Sequence, residues 1–166
     1  MAGIKSINLD GEEIYVFNSA IYIFESSSGS TLEVDMIVSE VTLRKYQDRD
    51  SLITEVELED GGQISSFMFL KAVPGKLPRL SLFCEIDPEE SYEGLLRIRE
   101  DHPDFPDIEA GITLEEIRKV EMPNEKITLK LNLPINQVEW LKGQKNKELN
   151  ELFRELLEEY LSSKEE

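Results

Sequence analysis

Carboxylates dominate the side chains able to do chemistry in this sequence: 35 Asp and Glu stand against 18 Lys and Arg, 1 His and 1 Cys in 166 residues. Acidic side chains that recur along one face of a strand can dock a basic partner, and paired ones can serve a glycosidase-like hydrolysis. Two stretches have that spacing. In residues 31–43 the phase that turns Leu32, Val34 and Met36 inward turns Glu33 and Asp35 outward, and in residues 52–58 the phase that buries Val56 and Leu58 exposes Glu55, Glu57 and Glu59. If these strands pair, one sheet face is densely anionic and offers a surface to a basic protein. The competing reading is a solvated face that resists aggregation. A carboxylate-based hydrolase is the least favoured reading, because no aromatic-lined constellation accompanies the acids.

Other chemistry has thin support. Asp101, Asp104 and Asp107 recur every third residue, but between Pro103 and Pro106 the chain is expected to be extended, at ~3.1 Å per residue, which spaces them about 9 Å apart. One cation cannot use all three, and the glycine and terminal glutamate of a calcium loop are missing. A single histidine, His102, and a single cysteine, Cys84, cannot furnish a Cys/His zinc site or an intrachain disulfide, which points to a reducing compartment. His102 beside Pro103 reads as an exposed loop residue, and Cys84, on the apolar phase of its strand, as core. Trp140 next to Leu141 is expected to seal a core edge. No glycine-rich phosphate loop is present. Neither catalysis, a metal nor a cofactor is therefore expected.

Charge bounds the partners. The net charge of -17 is divided unevenly: residues 1–124 hold 11 Lys/Arg against 26 Asp/Glu, net -15, while residues 125–166 hold 7 against 9, net -2. A field of that sign repels nucleic acid and anionic membrane, so a basic protein is the expected partner. The start, Met1-Ala2-Gly3-Ile4-Lys5-Ser6-Ile7, has no apolar stretch of signal-peptide length, and the longest apolar runs, 20–24 and 67–70, are too short to span a bilayer, so a cytoplasmic protein is expected.

The elements that must position these residues are strands first. Between Ile4 and Ile86, short runs rich in Ile, Val, Tyr, Phe and Thr alternate with polar residues. Residues 14–17 and 20–24 flank a break at Asn18-Ser19, Ser26 to Ser30 reads as a flexible loop, and the phase shift at Ser39-Glu40 within residues 31–43 predicts a bulge. Residues 52–58 and 63–70 are joined by Glu59-Asp60-Gly61-Gly62, whose Asp-Gly pair supplies the positive φ of a hairpin turn. Residues 79–86 form another strand. Helical signals begin at Asp87, an N-cap followed by Pro88 and Glu90, with Tyr92, Leu95, Leu96 and Arg99 facing the sheet. Pro103 and Pro106 make residues 101–107 a loop, and Thr113 with Glu116 forms a capping box opening a short helix through Val120. A linker at residues 122–125 divides an acidic β-rich domain, 1–124, from a strand-helix-helix tail, 125–166.

In the tail, Ile127, Leu129, Leu131 and Leu133 alternate with Lys126, Thr128, Lys130 and Asn132, the pattern of a half-buried strand. Pro134 ends it, residues 135–142 predict a short helix with Val138 and Leu141 inward, and Gly143 closes that helix. Leu149, Leu152, Phe153, Leu156, Leu157, Tyr160 and Leu161 then fall at helical spacing, an apolar stripe wide enough to need a partner surface. This order over about 35 residues resembles the ribbon-helix-helix family of dimeric DNA-binding proteins. The resemblance implies that the strand pairs antiparallel with its copy in a second subunit, and that Thr128, Lys130 and Asn132 read base edges in the major groove. Each is chemically able, lysine toward guanine acceptors, asparagine toward adenine and threonine through its hydroxyl or methyl group.

The expected architecture is thus α+β: an antiparallel β-sheet or barrel domain with short helices, then a C-terminal strand and amphipathic helix. The expected function is non-catalytic binding, with the acidic domain engaging a basic protein and the tail either packing on that domain or forming a homodimer. A dimeric DNA-binding regulator is the alternative.

Overall fold

The computed structural model describes residues 3–73, 75–87, 89, 90 and 92–165 and divides the chain into two compact units, Met1–Asn124 and Glu125–Glu166. Among the described residues of the first unit, alternation yields eight strands: β1 (Ile4–Leu9), β2 (Glu12–Glu13), β3 (Asn18–Ser26), β4 (Gly29–Ile37), β5 (Ser51–Leu58), β6 (Gln63–Lys71), β7 (Arg79–Ile86) and β8 (Leu96–Arg99). They form one sheet in the order β2-β1-β5-β6-β7-β4-β3-β8, antiparallel throughout except where β8 runs parallel to β3. With helices α1 (Glu40–Tyr46) and α2 (Leu114–Val120) the class is α+β.

The sheet coils until β1 and β3 approach within 8 Å. Its inner face buries Ile7, Leu9, Ile23, Leu32, Val34, Met36, Leu52, Val56, Leu80 and Leu82, with Cys84 among them. A second cluster sits on the other face of β3 and β4, where Ile117 of α2 meets Ala20, Tyr22, Ile37, Ile98 and Ile108. Asn18 Nδ2 donates to the Ile108 carbonyl at 3.0 Å, which fastens the preceding loop to this cluster. Thr113 and Glu116 form the full capping box that opens α2.

The β5–β6 hairpin turns at Asp60-Gly61-Gly62, with Gly61 at φ +90°, a conformation that costs a residue bearing Cβ but not glycine. Ser26 to Ser30 is tighter than a flexible loop: Ser26 pairs with Gly29, leaving a two-residue turn. Asn18 and Ser19 belong to β3 and do not break it, whereas residues 14–17 lie outside any strand.

Two further expectations are corrected. At Ser39 the chain makes a helix, not a bulge: the Ser39 hydroxyl accepts from the Thr42 amide at 3.1 Å, an N-cap that ends β4 and starts α1. Leu43 and Tyr46, three apart on that helix, pack on the inner core. Between Asp87 and β8 no helix forms among the described residues, while Pro88 lies outside them. Asp87 instead closes a turn through its carboxylate, which accepts from Glu89 N at 3.1 Å, and Gly94 takes φ +83°, incompatible with a continuing helix. The apolar residues then split: Tyr92 and Leu95 join the inner cluster, while Leu96 packs on the outer one as part of β8, where Arg99 also lies.

The second unit holds α3 (Ile135–Lys142) and α4 (Asn146–Lys164). The C-terminal strand expected at residues 126–133 is absent: this stretch has no ladder partner among the described residues. A strand is completed by hydrogen bonds to a neighbour, so an alternating sequence does not suffice. Among the described residues no helix is long and apolar enough to cross a membrane.

Candidate functional site

The outer sheet face is organised by register. Tyr22 stands opposite Glu33, Glu33 opposite Phe83, and Phe83 opposite Phe69. The adjoining rows place Asp35 beside Ser81 and Lys71, and Ile53 beside Phe67. The face therefore carries a charged cluster over β3, β4 and β7, and an aromatic ribbon over β5, β6 and β7.

Glu33 and Asp35 point to the expected side of the sheet but are not exposed, at 5% and 3% of their surface. The Tyr22 hydroxyl lies 3.0 Å from Glu33 Oε2 and 2.9 Å from Asp35 Oδ2. Arg79 Nη2 donates to Asp35 Oδ2 at 2.8 Å, Lys71 Nζ reaches Glu33 Oε2 at 3.4 Å, and Thr31 Oγ1 donates to Glu33 Oε1 at 3.1 Å. Phe105, from the proline-bounded loop, lies edge-on to Tyr22 at 5.9 Å and stacked on Phe24 at 5.8 Å. Two cations and a phenol stand against these two buried carboxylates, the hydrogen-bonded and paired surroundings that buried acidic groups require. The carboxylates are partners to their own chain and not a free acidic surface.

Burial first, then the charge and hydrogen bond of Asp35, then those of Glu33, push the Tyr22 phenol far above its ordinary 10.0. The folded state therefore holds a proton that the unfolded state releases above about pH 10. The associated stability is fully present below that pH and is lost as pH rises further. Alkaline titration at 295 nm should show the Tyr22 phenolate appearing only together with loss of the β-sheet circular dichroism. Ionisation of all five tyrosines in a still-folded protein would sink this assignment.

The other acidic residues of the expected face do not join Glu33 and Asp35. Strands β6 and β7 separate β4 from β5, a gap of about 14 Å at ~4.8 Å per strand. Glu57 is held by Lys5 at 2.8 Å, a hydrogen bond that lowers its carboxyl pKa, and Ser6 lies at 3.4 Å. Glu59 sits in the hairpin turn, its amide donating to the Gly3 carbonyl at 2.9 Å. Glu55 remains exposed.

The aromatic ribbon is open. Ile53, Phe67 and Phe69 are 50%, 56% and 46% exposed. Phe67 and Phe69 meet edge-to-face at 5.8 Å, and Phe69 meets Phe83 at 5.9 Å. Exposed Glu55 and Glu85 lie two residues beyond Ile53 and Phe83 on their strands. A cleft of about 700 Å³ near the charged cluster is lined by Arg49, Asp50, Lys71, Arg79 and Ser81.

Elsewhere, His102 is exposed in a backbone bridge to Arg99, and Cys84 is buried with Ser66 Oγ at 3.3 Å from its sulfur. Among the described residues no group of three or more His, Cys, Asp or Glu converges as metal ligands, Asp101, Asp104 and Asp107 included.

In the second unit Thr128, Lys130 and Asn132 are exposed. So are the alternating apolar residues, Ile127 at 80%, Leu129 at 65% and Leu131 at 57%. On α4, Phe153, Leu156, Leu157, Tyr160 and Leu161 are exposed, with Leu149 and Leu152 partly covered. Trp140 does not seal a core edge: it is exposed and lines an apolar groove with Leu133, Leu141, Leu152, Phe153 and Leu156.

Comparison with known proteins returns no matching family model, no matching curated protein and no matching solved structure. Sequence reasoning passed over Tyr22, Arg79, Lys71 and the aromatic ribbon. The ribbon had a signal: Phe67, Phe69 and Phe83 occupy the polar phase of their strands, where alternation calls for hydrophilic residues.

Proposed function

We propose that this protein binds and does not catalyse: the acidic unit engages a basic protein partner, and the second unit joins two copies of the chain. The observation that carries this reading is the unequal division of charge and apolar surface. The first unit holds net -15, whereas the second holds net -2 and leaves Leu129, Leu131, Phe153, Leu156, Leu157 and Leu161 exposed. Burial of each such side chain contributes roughly 1.5–3 kcal/mol. A nearly neutral surface can meet its own copy without the repulsion that the first unit would suffer.

Residues 126–133 suit a twofold contact. Two copies running antiparallel satisfy each other's backbone groups and bring Ile127, Leu129 and Leu131 of both to one face, an isologous arrangement. The ribbon-helix-helix resemblance supports the same geometry, with Thr128, Lys130 and Asn132 on the opposite face.

Light scattering on the full chain tests the association. The expected mass is about twice the 19.1 kDa of one chain, and Leu129→Glu should return it to one while leaving the β-sheet circular dichroism unchanged. A wild-type chain still monomeric at ~100 times a micromolar Kd would overturn the reading. The same dimer should bind an anion exchanger at low salt and pass through heparin. Retention on heparin, lost on Lys130→Ala, would favour the DNA-reading alternative.

A further inference from the structure

We propose that the aromatic ribbon of Ile53, Phe67, Phe69 and Phe83 is the docking surface for the basic partner, and that it receives an amphipathic helix with apolar residues on one side and Lys or Arg flanking them. This deepens the acidic-domain reading above and rests on it. Exposed apolar residues scattered singly need no explanation, but here exposed Ile53, Phe67 and Phe69 and part-buried Phe83 are contiguous across three strands, and the three phenylalanine rings lie 5.8–5.9 Å apart in succession.

The surroundings select the occupant. Glu55 and Glu85 stand exposed on the strands that carry Ile53 and Phe83, within a unit of net -15. That charge opposes a second copy of the same face. It also opposes nucleic acid, although aromatic sheet faces can stack bases. A cationic helix gains in both respects: its apolar side covers the rings, while its Lys or Arg side chains reach the glutamates and lie over ring faces. Strand addition is not available at this site, because β5, β6 and β7 each already have neighbours on both sides. A helix laid across the sheet is the way such a face is covered.

The test uses the full chain and two fluorescently labelled synthetic helices of about five turns, one built from leucine and lysine and the other with serine in place of every leucine. Fluorescence anisotropy should show the leucine peptide binding about ten-fold tighter or more than its serine counterpart, more weakly as salt rises. Phe67→Ser combined with Phe69→Ser should abolish that preference; both side chains are half exposed, so the fold is retained. Glu55→Lys combined with Glu85→Lys should weaken the leucine peptide by about ten-fold and remove most of its salt dependence. Equal affinity for the two peptides, or an unchanged preference in the phenylalanine variant, overturns the docking surface. If both peptides bind equally and the glutamate variant loses both, the acidic-domain reading survives without the ribbon. If neither peptide binds the wild-type protein, both readings fail.

Discussion

Arg79→Met is expected to destabilise the protein by about 3–5 kcal/mol, the range for removing one partner of a buried ion pair. Asp35, 3% exposed, would keep the Tyr22 hydroxyl at 2.9 Å but lose the guanidinium at 2.8 Å. A carboxylate deprived of its cation in this setting has neither water nor charge to compensate it. Glu33, two residues away on β4 and sharing the same phenol, would then add like-charge repulsion along the strand. The companion variant matters equally. Arg79→Met with Asp35→Leu removes both charges together and should recover most of the loss, since an apolar replacement of comparable volume avoids desolvation altogether. Denaturant unfolding measures both. A cost below about 1 kcal/mol for Arg79→Met would place the pair among solvent-screened surface ion pairs and refute its structural role.

Ile117→Ala is expected to cost about 2–5 kcal/mol, because Ile117 is fully buried and is the one buried residue of α2. Its side chain clamps a cluster drawn from distant parts of the chain, with Tyr22 and Ala20 of β3, Ile37 of β4, Ile98 of β8 and Ile108 of the loop. Hydrogen exchange should therefore accelerate in β8 and residues 105–112 before it does so in β5 and β6, whose core lies on the other face. The capping box and the Arg118–Glu40 ion pair at 2.6 Å cannot make up the deficit, since both are exposed. Val120→Ala, at an exposed position of the same helix, should change stability by less than about 0.5 kcal/mol. Equal costs at the two sites would show that α2 is not held by Ile117.

The two experiments probe what holds the outer face together. Closure around Tyr22 hides the acids of β4, so what this face leaves exposed is the aromatic ribbon with Glu55 and Glu85, not the anionic face that alternation alone suggests.

Local chemistry was legible in the residues themselves. Asp60-Gly61 makes a hairpin because only glycine takes φ +90° without strain, Thr113 and Glu116 start a helix because they satisfy its first amides, and the stripe from Leu149 to Leu161 repeats at the helical period. The inward phase of Leu32, Val34 and Met36 was equally plain, since successive strand residues point to opposite sides. Short-range pattern failed where a local signal was ambiguous. Ser39 fits a bulge or an N-cap, and Asp87 fits an N-cap or a turn; in each case the choice fell to which side chains downstream could reach the core. The strand order is a matter of long-range pairing, and it is what separates Glu33 and Asp35 from Glu55 and Glu57 by two intervening strands. Tertiary structure alone also decides what covers a face. Alternation assigns a side chain to a side of the sheet, but burial depends on segments far away in sequence, here Phe105 against Tyr22 and Arg79 against Asp35, which no periodicity within β4 can encode.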